Sequence, residues 1–300
     1  MEHTYDSLLE GDVAVVTGAG RGLGRAHAIA LAARGACVVV NDLDDGEGAA
    51  ASVVAEIHDA GGRAVVSHDD ISTWAGGERV VQTALDSFGT LTILVNNAGI
   101  LRDRAVVNMS EAEWDAVIDV HLKGHFCPTR HAAAYWRDEA KAGRRRRAAI
   151  VNTTSTSGLF GQYGQTNYAS AKAGIAIMTM VLQQELDRYG IAVNCVAPAA
   201  RTRLTDSGEG RFDAPEDGFD IWDPANVSAA VVYLASSMCR LRGRVLFVVG
   251  GDVHLMEPWR PVKTASQPRQ WDPVELAEIA NGWTDCELPT LPALPVQGIR

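Results

Sequence analysis

Val13-Ala-Val-Val-Thr-Gly-Ala-Gly-Arg-Gly-Leu-Gly24 is the stretch that decides the fold. Val13 to Val16 is a short apolar run without alternation, as a strand buried on both faces requires. Thr17, Gly18, Gly20, Gly22 and Gly24 follow at once, and a helical pattern runs from about Leu23 to before Gly35. A glycine-rich turn between strand and helix lets the backbone approach a pyrophosphate, and the helix N-terminus offers N–H donors and partial positive charge. The spacing is Gly18-x-x-x-Gly22-x-Gly24, with Arg21 and Leu23 inside it. Read from Gly18 it departs from G-x-G-x-x-G, because position 23 is Leu. The flanking strand and helix favour a phosphate cradle over a plain turn.

Outward from this stretch, short apolar runs alternate with longer helical patterns. Strands are expected at 37–40, 63–66, 91–95, 148–151, 191–196 and 245–249. Helices are expected at about 47–60, 77–88, 111–142, after Tyr168 and at 224–234. Strands apolar throughout and separated by helices specify a parallel sheet covered on both faces. The expected fold is α/β: a single-domain Rossmann fold over residues 1–255, doubly wound, with seven parallel strands. Residues 257–300 hold seven of the eleven prolines and read as an irregular extension, 256–300, packed on the same domain or a neighbouring subunit.

A net charge of −10 argues against nucleic acid or an anionic membrane as partner. Arg144–Arg147 is read as a solvated loop. Five scattered cysteines without C-x-x-C spacing read as reduced thiols in a cytosol-like compartment, with no metal site. The acidic N-terminus lacks the apolar core of a signal peptide. No run of about 18 apolar residues exists, so no membrane span is expected.

Asp42 follows the second strand, 24 residues after Gly18, near the spacing of an acid that binds the adenosine ribose hydroxyls. A carboxylate there would repel a 2′-phosphate, which favours NAD over NADP. Arg21 points the other way, since a cation in this loop would welcome that phosphate. Asp70 and Ile71 close the third strand, where an adenine ring would lie. Asn97, Ala98 and Gly99, after Asn96, close the fourth beside the expected ligand. Each of these also suits ordinary turn chemistry.

Ser155 lies just past the fifth strand, with Tyr168 thirteen residues on and Lys172 four beyond it. Tyr and Lys at that spacing share a helix face. A phenol near pKa ~10 is a poor base at neutral pH, and a nearby ammonium lowers that value. A hydroxyl can then hold a substrate oxygen for proton transfer. A surface helix with an incidental Tyr and Lys is the bland reading of the pair; the glycine loop makes the chemistry the better one.

Thr17-Gly18-x-x-x-Gly22-x-Gly24, Asn96-Asn97-Ala98-Gly99, Ser155 with Tyr168-x-x-x-Lys172, Asn194-Cys-Val-Ala-Pro198 and Gly250-Gly251 occur in order. On these motifs, over about residues 10–255, the chain resembles a short-chain dehydrogenase/reductase. Asn97–Arg104, Val120–Gly124, Gly164–Tyr168 and Ala197–Thr205 also resemble the (3R)-hydroxyacyl-CoA dehydrogenase module of the peroxisomal multifunctional β-oxidation enzyme and similar bacterial enzymes. The resemblance implies Tyr168 as acid/base and Lys172 as the group that tunes it and bonds the nicotinamide ribose. It places Ser155 on the substrate oxygen, and Pro198 and Thr202 beside the nicotinamide. His121 stands where the wider family has an Asn that holds a water near the Lys. It is read either as that water's holder or proton shuttle, or as a packed core residue. Pro198-Ala-Ala-Arg-Thr202 departs from the family's Pro-Gly spacing.

The expected activity is NAD-dependent interconversion of a secondary alcohol and a ketone on a lipophilic substrate: a hydroxysteroid, a terpenoid alcohol or a 3-hydroxyacyl-CoA. The alternatives are an NADPH-linked ketone reductase and a catalytically silent nucleotide-binding regulator. The pocket is expected from 101–107, 158–163, the acidic loop 203–222 and the tail. The acidity of that loop tilts the reading toward a less charged substrate than a CoA thioester. The resemblance further implies a homotetramer.

Overall fold

A computed structural model describes residues 7–44, 46–202, 213–215 and 217–283. Its centre is one sheet in the order β3-β2-β1-β4-β5-β6-β7-β8. The strands are β1 (Val13–Thr17), β2 (Cys37–Asn41), β3 (Arg63–Ser67), β4 (Ile93–Asn96), β5 (Ala148–Thr153), β6 (Ile191–Ala199), β7 (Val245–Val249) and β8 (Asp252–Met256). The first seven, which the sequence anticipates, pair in parallel. β8 is additional. A two-residue link, Gly250-Gly251, joins it to its neighbour β7, and so short a link joins only antiparallel strands. Its residues are mostly exposed, which is why no buried apolar run announces it.

The side-chain period of two divides the core. Ala14, Val16, Val38 and Val40 face α1 (Gly22–Ala32), α2 (Ala49–Asp59) and α8 (Pro224–Ala235). Val13, Val15, Cys37 and Val39 face the other way, onto α3 (Trp74–Phe88) and α5 (Gly124–Lys141). Inside the first layer His27 donates to or accepts from Ser228 Oγ at 2.8 Å, tying α1 to α8.

The single helix expected over 111–142 is three pieces. α4 (Glu111–Ile118) begins on a capping box at Ser110 and Glu113, a π-helical turn covers Asp119–Lys123, and α5 follows. A short α6 (Thr156–Phe160) precedes α7 (Thr166–Leu186). The chain divides into compact units ending at Leu255 and starting at Met256. The second unit is not wholly irregular: α9 (Pro273–Asn281) starts where Asp272 accepts from the Val274 N–H, with Pro273 in the first turn. Most of the acidic loop 203–222 lies outside the described residues. Among those described, no helix is long and apolar enough to cross a membrane.

Chain order reverses between β1 and β4, so a crevice opens at their carboxyl ends. The glycine loop occupies it under tight constraint. A Cβ on Gly24 would lie 2.1 Å from the Gly18 carbonyl oxygen. Gly24→Ala is expected to lower stability by about 1–3 kcal/mol. Gly251→Ala, where an added Cβ meets nothing within 4 Å, should stay within about 0.5 kcal/mol of the parent. Urea unfolding of both variants checks this.

Candidate active site

The loop after β1 is built for close approach. Gly18 has φ +63°, and a Cβ on it would stand 2.7 Å from Ala98 Cα. Gly22 has φ +54° and only the Thr202 side chain nearby, 3.5 Å from a notional Cβ. Thr202 therefore reaches the glycine loop despite the unusual spacing after Pro198. Arg21, the N-cap of α1, makes no side-chain capping bond, so the first amides of α1 are left for a ligand. A positive-φ glycine turn facing an uncapped helix start fits a dinucleotide pyrophosphate.

Asp42 stands one residue past β2. Its Oδ2 accepts from the Gly20 N–H at 2.8 Å and its Oδ1 from the Leu43 N–H at 3.0 Å. The Arg21 guanidinium pairs with the Glu47 carboxylate. Asp70 lies three residues beyond β3 rather than closing it, and its Oδ1 accepts from the Ser72 N–H and hydroxyl. Ile71 is buried and packs against Gly124 at the start of α5. Asn97 serves the protein itself: its Nδ2 donates to the carbonyls of Thr17 and Gly18, at 3.0 and 3.2 Å. Gly99 lacks a side chain because one would strike His121, whose Cε1 lies 2.4 Å from the notional Cβ.

Beyond β5 the chain brings Ser155, Tyr168 and Lys172 together. Ser155 caps α6 by accepting from the Ser157 N–H at 3.1 Å. Tyr168 and Lys172 lie one turn apart on α7, with Lys172 Nζ 5.6 Å from the Tyr168 ring centre. Asn167, unremarked as a site residue from sequence, fixes the start of α7: its Nδ2 donates to the carbonyls of Arg102 and Glu113. That backbone linkage also aligns the 101–107 segment with the loop before α7, where the Arg104 N–H donates to the Gly164 carbonyl at 2.8 Å. Val106, Val107 and Tyr163 are exposed along these two segments.

Electrostatics differs from the sequence expectation in one respect. Burial is the largest influence on Tyr168 and raises its phenol above the ordinary value; its hydrogen bond with Ser155 pulls the other way, and Asp103 adds to the rise. Lys172 donates to the Thr153 carbonyl at 2.6 Å, and burial drives its own value down to about 7. Lys172, 5.6 Å from the ring centre, does not offset burial of the phenol. His121 is 1% exposed, and its ring stands edge-on to that of Tyr168 with centres 5.0 Å apart. Burial first, then the Lys172 charge, hold it neutral, with a pKa of about 3. Among the described residues no cluster of three or more metal-ligating side chains occurs.

The short chain dehydrogenase family pattern matches residues 12–211. The chain belongs to the short-chain dehydrogenase family. It is similar to hydroxyacyl-CoA dehydrogenase ChsB1 of Mycobacterium tuberculosis, 46% identical over 281 residues, spanning 91% of this chain and 88% of that protein. It is 38% identical over 281 residues to peroxisomal multifunctional enzyme type 2 of Mus musculus, covering 91% of this chain but 36% of that longer protein. The crystal structure of a short chain dehydrogenase from Mycobacterium avium superposes with a TM-score of 0.87 at 45% identity, over 96% of this chain and 100% of that one. Members of the family use nicotinamide cofactors, and the glycine loop described above is where one fits.

Burial of Lys172 has a measurable sign. Its value falls from 10.5 in the open chain to about 7 in the fold, so the unfolded state holds that proton more tightly. The penalty is therefore full below about pH 7 and fades as pH rises toward 10.5. Cofactor-free Lys172→Met should be more stable than the parent by about 2–4 kcal/mol near pH 6.5. Denaturant unfolding across pH should show that gain shrinking toward pH 10.

Proposed function

We propose that this chain is an NAD-dependent 3-hydroxyacyl-CoA dehydrogenase, oxidising a secondary alcohol to a ketone. The observation that carries the reaction type is the convergence of Ser155, Tyr168 and buried Lys172 beside the glycine loop. The substrate class rests on near full-length similarity to a protein named hydroxyacyl-CoA dehydrogenase. That similarity outweighs the acidity of the loop after Thr202, which had favoured an uncharged steroid or terpenoid. The exposed Val106, Val107 and Tyr163 suit an acyl chain.

In this reading Gly18, Gly22, Leu23 and Gly24 approach the cofactor phosphates, and Asp42 meets the adenosine ribose. Asp70 and Ile71 flank the adenine, and Asn97, Ala98, Gly99, Pro198 and Thr202 border the nicotinamide side. The bound cofactor supplies the hydride acceptor. Tyr168 Oη takes the alcohol proton, the Ser155 hydroxyl orients the substrate oxygen, and Lys172 sets the strength of the base. NAD is favoured because Asp42 stands at the glycine loop and Arg21 already has an anionic partner in Glu47. An NADPH-linked reductase would leave that arginine to a phosphate. The intact Ser, Tyr and Lys speak against a silent regulator.

We also read the enzyme as a cytosolic homotetramer. Buried free cysteines Cys37, Cys127, Cys195 and Cys239 suit a reducing compartment. The exposed Phe126 of α5 and Ile177 and Val181 of α7 suit subunit packing. Sedimentation analysis tests the assembly.

Tyr168→Phe should lower kcat by about 10³-fold or more while NADH still binds. Near-normal turnover in this variant would sink the assignment of the base. A panel of 3-hydroxyacyl-CoAs and hydroxysteroids with NAD+ should give NADH from the thioesters. In thermal-shift measurements NAD+ should stabilise the protein more than NADP+, and Asp42→Ala should narrow the gap. A larger shift with NADP+ in the parent would overturn the cofactor reading.

A further inference from the structure

Thr202 stands three residues past the end of β6, yet its side chain reaches the start of α1, where its Cγ2 lies 3.5 Å from a Cβ placed on Gly22. Residues outside a helix or strand keep a fixed place only where other contacts offset the entropy of ordering them. For Thr202 those contacts come from the stretch just before α8. The N–H of its neighbour Arg201 donates to the Trp222 carbonyl at 2.7 Å. Arg201 Nη1 and Nη2 donate to Asp220 Oδ1 and Oδ2, a planar fork on a planar fork. The two side chains are 28% and 19% exposed, so solvent screens this pair less than one on the open surface.

Asp220 is itself anchored. Its Oδ1 accepts from the Trp222 N–H at 3.0 Å, and its carbonyl accepts from Asn226 Nδ2 of α8 at 2.8 Å. Trp222 is buried, and Ile221 presses on the turn after β7, where a Cβ on Gly250 would lie 3.2 Å from Ile221 Cβ. These contacts close a circuit. From Thr202 it runs through Arg201 to Asp220, and through Asn226 into α8. It crosses to α1 by the His27–Ser228 pair and returns along α1 to Gly22. Arg201, by side chain and backbone, ties the exit of β6 to the entry of α8.

We infer that Arg201 and Asp220 are positioning residues for dinucleotide binding, their ion pair holding Thr202 over the glycine loop. The inference rests on the proposed seating of NAD on that loop. Guanidinium and carboxylate act as one unit. Neutralising either leaves the other charge partly buried without its partner and slackens the same brace. Ser155, Tyr168 and Lys172 are carried by the end of β5 and by α7, outside the circuit. Loosening the brace therefore weakens the cofactor's hold without disturbing the groups that act on the alcohol.

Titration of NADH into the full chain, with steady-state kinetics on a 3-hydroxyacyl-CoA, tests this. Asp220→Asn should raise the Kd for NADH and the KM for NAD+ by about tenfold, while kcat and the thioester KM at saturating NAD+ stay within about twofold. Arg201→Lys keeps the charge but loses the fork; it should act in the same direction, and it covers an Asp220 variant that does not fold. Because the pair works through Thr202, adding Asp220→Asn to Thr202→Ala should raise the Kd by less than about twofold further. Unchanged NADH binding in both folded single variants overturns the proposal, as does a full further loss on top of Thr202→Ala. Weaker binding in Arg201→Lys alone, with Asp220→Asn like the parent, also overturns it, since Arg201 then meets the cofactor directly. A parent that binds neither NADH nor NADPH refutes the cofactor reading and this proposal with it. A parent that binds NADH but oxidises no 3-hydroxyacyl-CoA refutes the substrate assignment only, and the titrations still decide the brace.

Discussion

The Lys172 ammonium is 2% exposed and donates to the Thr153 carbonyl, 2.6 Å away. A buried charge costs several kcal/mol unless its geometry is held tightly, and much of the surrounding structure does the holding. The Thr154 hydroxyl donates to the Lys172 carbonyl at 2.6 Å, fixing α7 against the end of β5. Six residues of β5 pair in register with β6, so Thr153 cannot drift. Gly158 lets α6 press on the α7 backbone, where a Cβ would lie 2.6 Å from Ala173 N. Ser155 sits between these two constraints. Its position follows from the packing that keeps the lysine dry.

The same economy of space runs through the cofactor side. Gly18 touches Ala98, Gly24 touches Gly18, and Gly99 makes way for His121. Asn97 then stitches the end of β4 to the glycine loop with three bonds to Thr17 and Gly18. The two halves of the crevice are thus one rigid piece. In the proposed reading, a ligand seated on the loop and a substrate beside Tyr168 would meet at a spacing set before either binds, which is the condition for efficient transfer between them.

Much of this was legible in the sequence because the strands of the parallel sheet are buried on both faces. Val13–Val16 and Cys37–Val40 carry apolar residues at every position, and nothing else in a chain of this length explains them. Tyr168, Lys172 and Ser155 were legible for a different reason, since fixed offsets around a strand end encode distance. The π-helical turn at Asp119–Lys123 left no such mark. It lies where α4 packs on α7 and α5 packs on α3 while His121 meets Ile100, and no single residue type announces that. The bonds of Asn97 to Thr17 and Gly18 were not legible, because a turn amide beside a ligand and a turn amide bonding the protein have the same spacing. α9 was hidden by the prolines around it, although Asp272-Pro273 is an ordinary helix start.

One consequence of burial joins the site's two halves. Desolvation raises the Tyr168 phenol and lowers the Lys172 ammonium, so both groups are driven toward their neutral forms. A phenol whose value is raised gives up its proton less readily, so less phenolate is present to act as a base. The Ser155 hydroxyl bond offsets only part of that bias. A positive charge placed in the crevice beside Tyr168 favours the phenolate, and removal of that charge restores the phenol. An oxidised nicotinamide carries such a charge and a reduced one does not. In the proposed reaction the strength of Tyr168 as a base would therefore follow the redox state of the bound nicotinamide, and proton abstraction would be favoured with the oxidised form in place.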